Sequence, residues 1–169
     1  MISIVRLDER LIHGQIGVAW ASKMGTDTLV VVNDKAANNP ISKKTLLAAA
    51  PRNNKTVVKT MQEALPILND PRVETKNIFV IVGNWEDLYQ IITEVNGIHY
   101  VNIGNYGRLT LENPGYKRNT FGTDLFLDET EYPKALKVAE KAVEKEIRCE
   151  VQTVPENKAV SLLDVLKKE

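Results

Sequence analysis

The sequence predicts one α/β domain, built on an open, mainly parallel sheet of about six to seven strands with helices on both faces. Two observations predict this class. Short apolar runs rich in β-branched residues alternate with segments of helical period along most of the 169 residues. The chain also holds no internal repeat, low-complexity tract or Pro/Gly/Ser-rich linker that would divide it. Residues 1–169 are therefore interpreted as a single domain.

The apolar runs are interpreted as strands because their β-branched residues suit a buried parallel sheet. They lie at 2–7, 28–33, 56–59, 77–83, 99–104 and 147–154. Between the first five, helices are predicted at 15–24, 40–50, 61–69 and 85–95. A longer charged helix is expected at 129–146 and a short amphipathic one at 160–168.

Several predicted helices begin with capping residues. Asn39 precedes Pro40, Asn84 precedes a tryptophan, and Thr60 is followed three residues later by a glutamate, as Asp128 is. By contrast, the glycine-containing stretch 105–127 breaks the alternation and predicts loops around one or two short strands.

Composition excludes several classes of function. The 22 basic and 22 acidic residues cancel, so no net charge draws the chain to nucleic acid or to an anionic membrane. A lone cysteine, Cys149, excludes an intrachain disulfide and a cluster of thiolate ligands to a metal. No apolar window approaches the roughly 18 residues that a membrane helix needs. These features favour a cytoplasmic location.

The loop after the first predicted strand is the candidate active site, since ligands of open parallel sheets bind at the carboxyl ends of strands. It reads RLDERLIHGQ over residues 6–15. His13 is the candidate catalytic nucleophile, because a neutral imidazole nitrogen can both accept a phosphoryl group and release it.

Charged and backbone groups around this histidine would suit a transferred phosphoryl group. Arg6, Arg10 and the amides near Gly14 and Gln15 could stabilise its oxygens, and Asp8 could orient an arginine or the ring. The alternative is a satisfied loop histidine beside paired charges.

Other polar residues have competing interpretations. Asn33 and Asp34 end the second strand and could form a second shell at the same edge, or could simply cap the following turn. His99 and Cys149 lie within predicted strands, where a polar strand end and an inert buried thiol are the commoner cases.

RLDERLIHGQ resembles the N-terminal signature of IIB subunits of the mannose/fructose/sorbose class of the bacterial sugar phosphotransferase system. Later segments resemble that family in the same order, namely VVNDKAANNP at 31–40, LLAAAP at 46–51, YVNIGN at 100–105 and VQTVP at 151–155. Two positions depart conservatively from the expected pattern: Glu9 and Ile16 stand where aspartate and valine are more usual. No functional residue is carried over from the less typical region 105–127.

The resemblance implies a cytoplasmic protein-histidine phosphotransferase that associates peripherally with a membrane permease. His13 matches the phosphorylated histidine, with Arg6, Asp8 and Arg10 matching the charged residues beside it. The implied donor is a phosphohistidine IIA partner, and the acceptor is a sugar bound by membrane subunits IIC and IID. The resemblance implies no metal or organic cofactor, and it favours Nδ1 as the ring atom that accepts the phosphoryl group. The sequence leaves open whether the chain forms a homo-oligomer.

Two other functions fit the sequence less well. A histidine phosphatase would need arginine in place of Ile12 and a second site histidine, for which the chain offers only His99. A flavodoxin-like nucleotide-binding module lacks a GxGxxG or Walker A sequence to hold its phosphates.

Overall fold

The computed structural model describes residues 1–168, with their side chains except those of residues 15–17. The strands are β1 (Ile2–Leu7), β2 (Thr28–Val32), β3 (Lys55–Lys59), β4 (Ile78–Val82), β5 (Tyr100–Ile103), β6 (Asn119–Phe121), β7 (Leu125–Leu127), β8 (Arg148–Val151) and β9 (Val160–Ser161). The helices are α1 (Gly14–Lys23), α2 (Asp34–Ala37), α3 (Pro40–Ala49), α4 (Met61–Leu68), α5 (Trp85–Glu94), α6 (Tyr132–Glu144) and α7 (Leu162–Lys167), with a 3₁₀ helix at Pro71–Thr75.

The main sheet has seven strands in the order β3-β2-β4-β1-β5-β8-β9. All of its pairings are parallel except that of β8 with the short edge strand β9. This arrangement confirms the predicted fold class. It also places β1 near the centre of the sheet, so that the loop leaving β1 lies between the ends of β4 and β5.

Side chains alternate across the sheet and feed two hydrophobic cores. In β4, Phe79 and Ile81 pack on the face covered by α1 to α3, whereas Ile78, Val80 and Val82 pack on the face covered by α4 to α7. Strands buried on both faces read as continuous apolar runs, which explains the strand pattern of the sequence.

Three of the four predicted helix caps are formed, and Asp128 instead lies in the turn before α6. Thr60 and Glu63 make a reciprocal capping box at α4, and the side chains of Asn39 and Asn84 accept backbone N–H groups at α3 and α5. Such caps satisfy donors that a helix leaves unpaired at its start.

The structure differs from the predicted elements in four places, the first being the unpredicted 3₁₀ helix at Pro71–Thr75. The four-residue helix α2 was not predicted, and residues 160–161 form strand β9 before the final helix. The predicted helix at 129–146 starts at Tyr132, because Asp128 and Glu131 first close a turn in which Asp128 Oδ1 accepts the Glu131 N–H at 2.9 Å. Stretch 105–127 contains the β6–β7 hairpin, as expected.

Among residues 1–168, no helix is both long and apolar enough to cross a membrane.

Candidate functional site

His13 lies where the chain turns from β1 into α1. The Asp8 N–H donates to Val82 O at 2.9 Å and the Leu11 N–H to Asp8 O at 2.9 Å, so the chain turns back sharply after the strand. Leu11 adopts a φ of 57°, a left-handed conformation uncommon for a residue with a side chain. His13 is the N-cap of α1 but makes no side-chain cap bond, which leaves its ring free for other contacts.

The Asp8 carboxylate is the centre of the site and is only 1% exposed. Its Oδ2 is 3.2 Å from Arg6 Nη2, 3.3 Å from His13 Nε2 and 3.3 Å from Asn105 Nδ2. Its Oδ1 accepts the Arg10 N–H at 3.1 Å. A carboxylate can only accept hydrogen bonds. The contact therefore favours the tautomer that carries hydrogen on Nε2 and leaves the lone pair on Nδ1.

Arg6 lies beneath Asp8, with 2% of its surface exposed. Its guanidinium donates to Asn102 Oδ1 and to the carbonyl oxygens of Gln152 at 3.2 Å and Thr153 at 2.9 Å. Burial lowers the pKa of Arg6, while the charge of Asp8 acts in the opposite direction. Arg6 thus faces the interior and holds Asp8, instead of lying beside the exposed edge of the histidine ring.

Trp20, on α1, closes this buried layer. The Arg6 Cζ lies 5.1 Å from the centroid of its ring, and its Nε1 donates to Thr153 O at 3.1 Å. A guanidinium over an indole face is attracted by the ring quadrupole. Helix α1 and Arg6 are thus both bonded to Thr153 O, just after the end of β8.

Arg10 and Gly14 form the open side of the site. The Arg10 side chain is 36% exposed, and its Nε lies 3.8 Å from Asp8 Oδ1. Gly14 has a φ of 37°, and no atom of the described side chains and backbone lies within 4 Å of where a Cβ would be, so an anion could approach its backbone. The side chain of Gln15 lies outside the described residues, and its role stays a prediction.

Asn33 and Asp34 accept backbone N–H groups at the starts of two helices. Asn33 Oδ1 accepts the Ala36 N–H at 2.9 Å at the start of α2, and Asp34 Oδ1 accepts the Met61 N–H at 2.8 Å at the start of α4. These contacts agree with the capping interpretation. Asn33 Nδ2 and Leu11 Cδ2 both lie against Gly83, which places Asn33 near the His13 loop.

Neither of the other candidate nucleophiles belongs to this site. His99 precedes β5 whereas His13 follows β1. Because these strands are parallel, His99 lies at their amino ends and His13 at their carboxyl ends, on opposite sides of the sheet's length. Cys149 lies within β8, where burial raises the pKa of its thiol to about 12. The phosphatase alternative therefore lacks its second histidine.

Sequence reasoning missed a set of polar residues that complete the site. Asn102, Asn105, Gln152 and Thr153 lie in the segments YVNIGN and VQTVP, which were noted only for their resemblance. Polar side chains within buried strand ends need partners. That requirement is the signal that could have connected Asn102 with Arg6 and Asn105 with Asp8. Gln152 and Thr153 instead accept from Arg6 through their backbone carbonyls, which have no sequence signal.

Glu9 was noted only as a conservative departure, yet it binds another loop. Its carboxylate accepts the backbone N–H groups of residues 107, 108, 109 and 110 at 3.0, 3.1, 3.0 and 2.9 Å, and the Thr110 hydroxyl at 2.6 Å. Burial raises the pKa of Glu9, but the hydrogen bonds from Thr110, Gly107 and Leu109 outweigh it and hold that pKa below 4.5.

Comparison with known proteins identifies the family. A family model described as "PTS system sorbose subfamily IIB component" matches residues 2–169. A probable phosphotransferase enzyme IIB component of Streptococcus pyogenes serotype M6 is 39% identical over 117 residues, which are 69% of this chain and 72% of that protein. The sorbose-specific EIIB component of Klebsiella pneumoniae is 23% identical over 163 residues, or 96% and 93% of the two chains.

The fold agrees with this family. The solved IIBSor domain of the sorbose permease from Klebsiella pneumoniae has a TM-score of 0.84 to this chain at 21% identity, covering 99% of this chain and 97% of that one. The resemblance noted in the sequence is confirmed over its full length. The chain belongs to the sorbose subfamily of IIB components, the phosphoryl-transfer subunits of a sugar phosphotransferase system.

Proposed function

We propose that His13 is the phosphoryl acceptor of this subunit and that Nδ1 is the accepting atom. The observation that carries the proposal is the 3.3 Å contact between His13 Nε2 and the buried Asp8 carboxylate. This contact leaves the Nδ1 lone pair free, and the ring is 21% exposed at the surface. An acceptor needs a free lone pair and access for a partner.

In the proposed reaction, the Nδ1 lone pair attacks phosphorus in the phosphohistidine of the donor. A new N–P bond forms at His13 while the donor's N–P bond breaks, and the donor imidazole leaves with the electron pair of that bond. The His13 ring gains positive charge as Nδ1 gives up its lone pair. The Asp8 carboxylate, already at Nε2, stabilises that charge.

In the second transfer the His13 ring loses the positive charge that it gained in the first. A sugar hydroxyl oxygen attacks phosphorus, the N–P bond at His13 breaks, and the hydroxyl proton passes to solvent. His13 returns to the neutral tautomer that carries hydrogen on Nε2. During both transfers Arg10 and the amides at the start of α1 compensate the charge of the equatorial oxygens.

The partners of this reaction follow from membership in the family. The donor is the phosphohistidine of a IIA component, and the acceptor is a sugar held by the membrane components IIC and IID. The subunit would work in the cytoplasm, docked peripherally on that permease. Donor and sugar must reach the same nitrogen, so both docking surfaces include the rim of the His13 loop.

Phosphorylation by phosphoenolpyruvate, the general phosphotransferase proteins and the matching IIA component tests the proposal. We expect one acid-labile, base-stable phosphoryl group per chain, lost in His13→Ala. The matched control is His99→Ala, because His99 is the other histidine of the chain and should leave phosphorylation intact. Full phosphorylation of the His13→Ala protein would exclude the proposed acceptor.

A further inference from the structure

The hydrogen bonds of Glu9 bring two loops into one unit. Four consecutive backbone N–H groups, from Gly107 to Thr110, converge on its carboxylate. Successive amides that converge in this way form a concave anion-binding site. Here the anion is a side chain of the loop that bears His13, so loop 107–110 is bound to the site from within the molecule.

Two further contacts extend this connection to the reacting ring. The Glu9 N–H donates to Asn105 O at 2.9 Å, and Asn105 Nδ2 donates to Asp8 Oδ2 at 3.3 Å. Asp8 Oδ2 is the same oxygen that lies 3.3 Å from His13 Nε2. A chain of contacts therefore leads from loop 107–110 through Glu9, Asn105 and Asp8 to the histidine.

The loop is also fixed from its other side. Arg118 donates to Gly107 O at 3.1 Å and forms a buried ion pair with Glu131 at 2.8 Å. Gly107 has a φ of 93°, and a Cβ there would lie 2.1 Å from Phe126 O, so the loop backbone packs directly against residue 126. Loop 107–110 is thus bonded to Arg118 on one side and to Glu9 on the other, so Glu9 can hold the His13 loop against it.

We propose that Glu9 is a positioning residue: by binding loop 107–110, it holds Asp8 and Asn105 where they fix the His13 ring with Nδ1 presented to the partner. Glu9 acts through Asp8 and the chain between them. The proposal rests on the proposed function for its kinetic consequence, but the orientation of the ring can be measured without any transfer.

Glu9→Gln tests the role with little change of shape. Glu9 Oε1 accepts two of the four amides and Oε2 accepts the other two, so either orientation of a glutamine sets its NH₂ group against two N–H donors. The matched control is Glu63→Gln, which makes the same change in the capping box of α4.

Two measurements distinguish positioning from a purely structural role. The ¹⁵N shifts of the His13 ring report its tautomer, and the transfer rate at saturating phospho-IIA, per folded molecule, reports the reaction. For Glu9→Gln we expect a mixture of tautomers and a rate lower by about tenfold or more, with a smaller change in KM. The control should resemble the wild type in both.

A folded Glu9→Gln protein with wild-type ring shifts and a rate within about twofold of the wild type would overturn the proposal. If Glu9→Gln does not fold, Thr110→Val is the second test, because it removes only the 2.6 Å hydroxyl donor to Glu9. It should change the tautomer population in the same direction. Wild-type ¹⁵N shifts in a folded Thr110→Val protein would also overturn the proposal. A wild-type chain that accepts no phosphoryl group refutes the proposed function instead, while the ring shifts still decide the role of Glu9.

Discussion

Gly104→Ala should displace the buried arginine that holds the site. A Cβ at this position would lie 2.2 Å from Arg6 Nη2, 2.4 Å from its Cζ and 2.9 Å from its Nε. Non-bonded heavy atoms need roughly 3.5 Å, so the guanidinium must move by more than about 1 Å. Arg6 Nη2 is 3.2 Å from Asp8 Oδ2, and such a movement would break this ion pair.

The expected effect on stability is large because both charges are buried. Breaking a buried pair costs about 3–5 kcal/mol, which for a domain of this size lowers Tm by roughly 6–20 °C. The transfer rate should fall about 100-fold, since reacting groups misplaced by about 1 Å lose that much. Thermal unfolding and the rate of His13 phosphorylation measure the two effects.

Gly83→Ala is the matched control for this substitution. Gly83 follows β4 as Gly104 follows β5, but its nearest neighbour would be the flexible Leu11 Cδ2, 3.2 Å away. Its cost should be well below that of Gly104→Ala. In an Arg6→Ala background the cost of Gly104→Ala should largely disappear. Equal stability of the two glycine variants, or an unchanged cost in that background, would refute the assigned clash.

Three further predictions concern single side chains. Arg10→Ala should fold normally, because Arg10 is exposed and its Nε is 3.8 Å from Asp8. Transfer should slow by about 30- to 150-fold, which corresponds to a loss of ~2–3 kcal/mol of transition-state stabilisation. A rapid-quench time course measures this rate, and an unfolded variant would contradict the prediction. The lowered pKa of Glu9 gives stability that is present above pH 4.5 and lost as the pH falls through its lower folded value. Urea unfolding from about pH 5 to 3 should therefore show that the free energy of unfolding falls less steeply with pH in Glu9→Gln than in the wild type. An equal pH dependence in the two proteins would contradict this. Cys149, with its pKa raised to about 12 by burial and by Glu150, should resist iodoacetamide in the folded protein, and mass spectrometry showing equal labelling before and after unfolding would disprove it.

The parallel framework was predictable because it depends on local patterns. Strands buried on both faces read as β-branched runs, and capping residues mark the helix starts between them. The errors fall where a structure is too short to have a pattern. Helix α2 has four residues and strand β9 has two, and β9 is defined by its antiparallel pairing with β8, which includes Val151 with Val160.

The position of the candidate site was predictable from the sequence, but its buried contacts were not. Placing His13 after the first strand followed from the rule that ligands bind at the carboxyl edge. The inward direction of Arg6 depends on Gln152 and Thr153, which lie about 146 residues away in the chain. Glu9 depends in the same way on backbone amides of loop 107–110. Backbone donors have no sequence signal, which is why that contact was missed.

The division between buried and exposed charges suits a carrier, which must release the phosphoryl group that it accepts. Arg6 and Asp8 form an ion pair in the interior, and in the proposed reaction this pair orients the ring from its buried side. On the exposed side, the Arg10 side chain is 36% exposed and its Nε lies 3.8 Å from Asp8 Oδ1, so in the proposed reaction it can donate to phosphoryl oxygens. Uniformly strong binding of the phosphorylated state would slow its onward transfer. In the proposed reaction, a donor that the docked partner places beside Arg10 would act during transfer without adding to the binding of the phosphorylated ground state, and it would therefore speed both transfers.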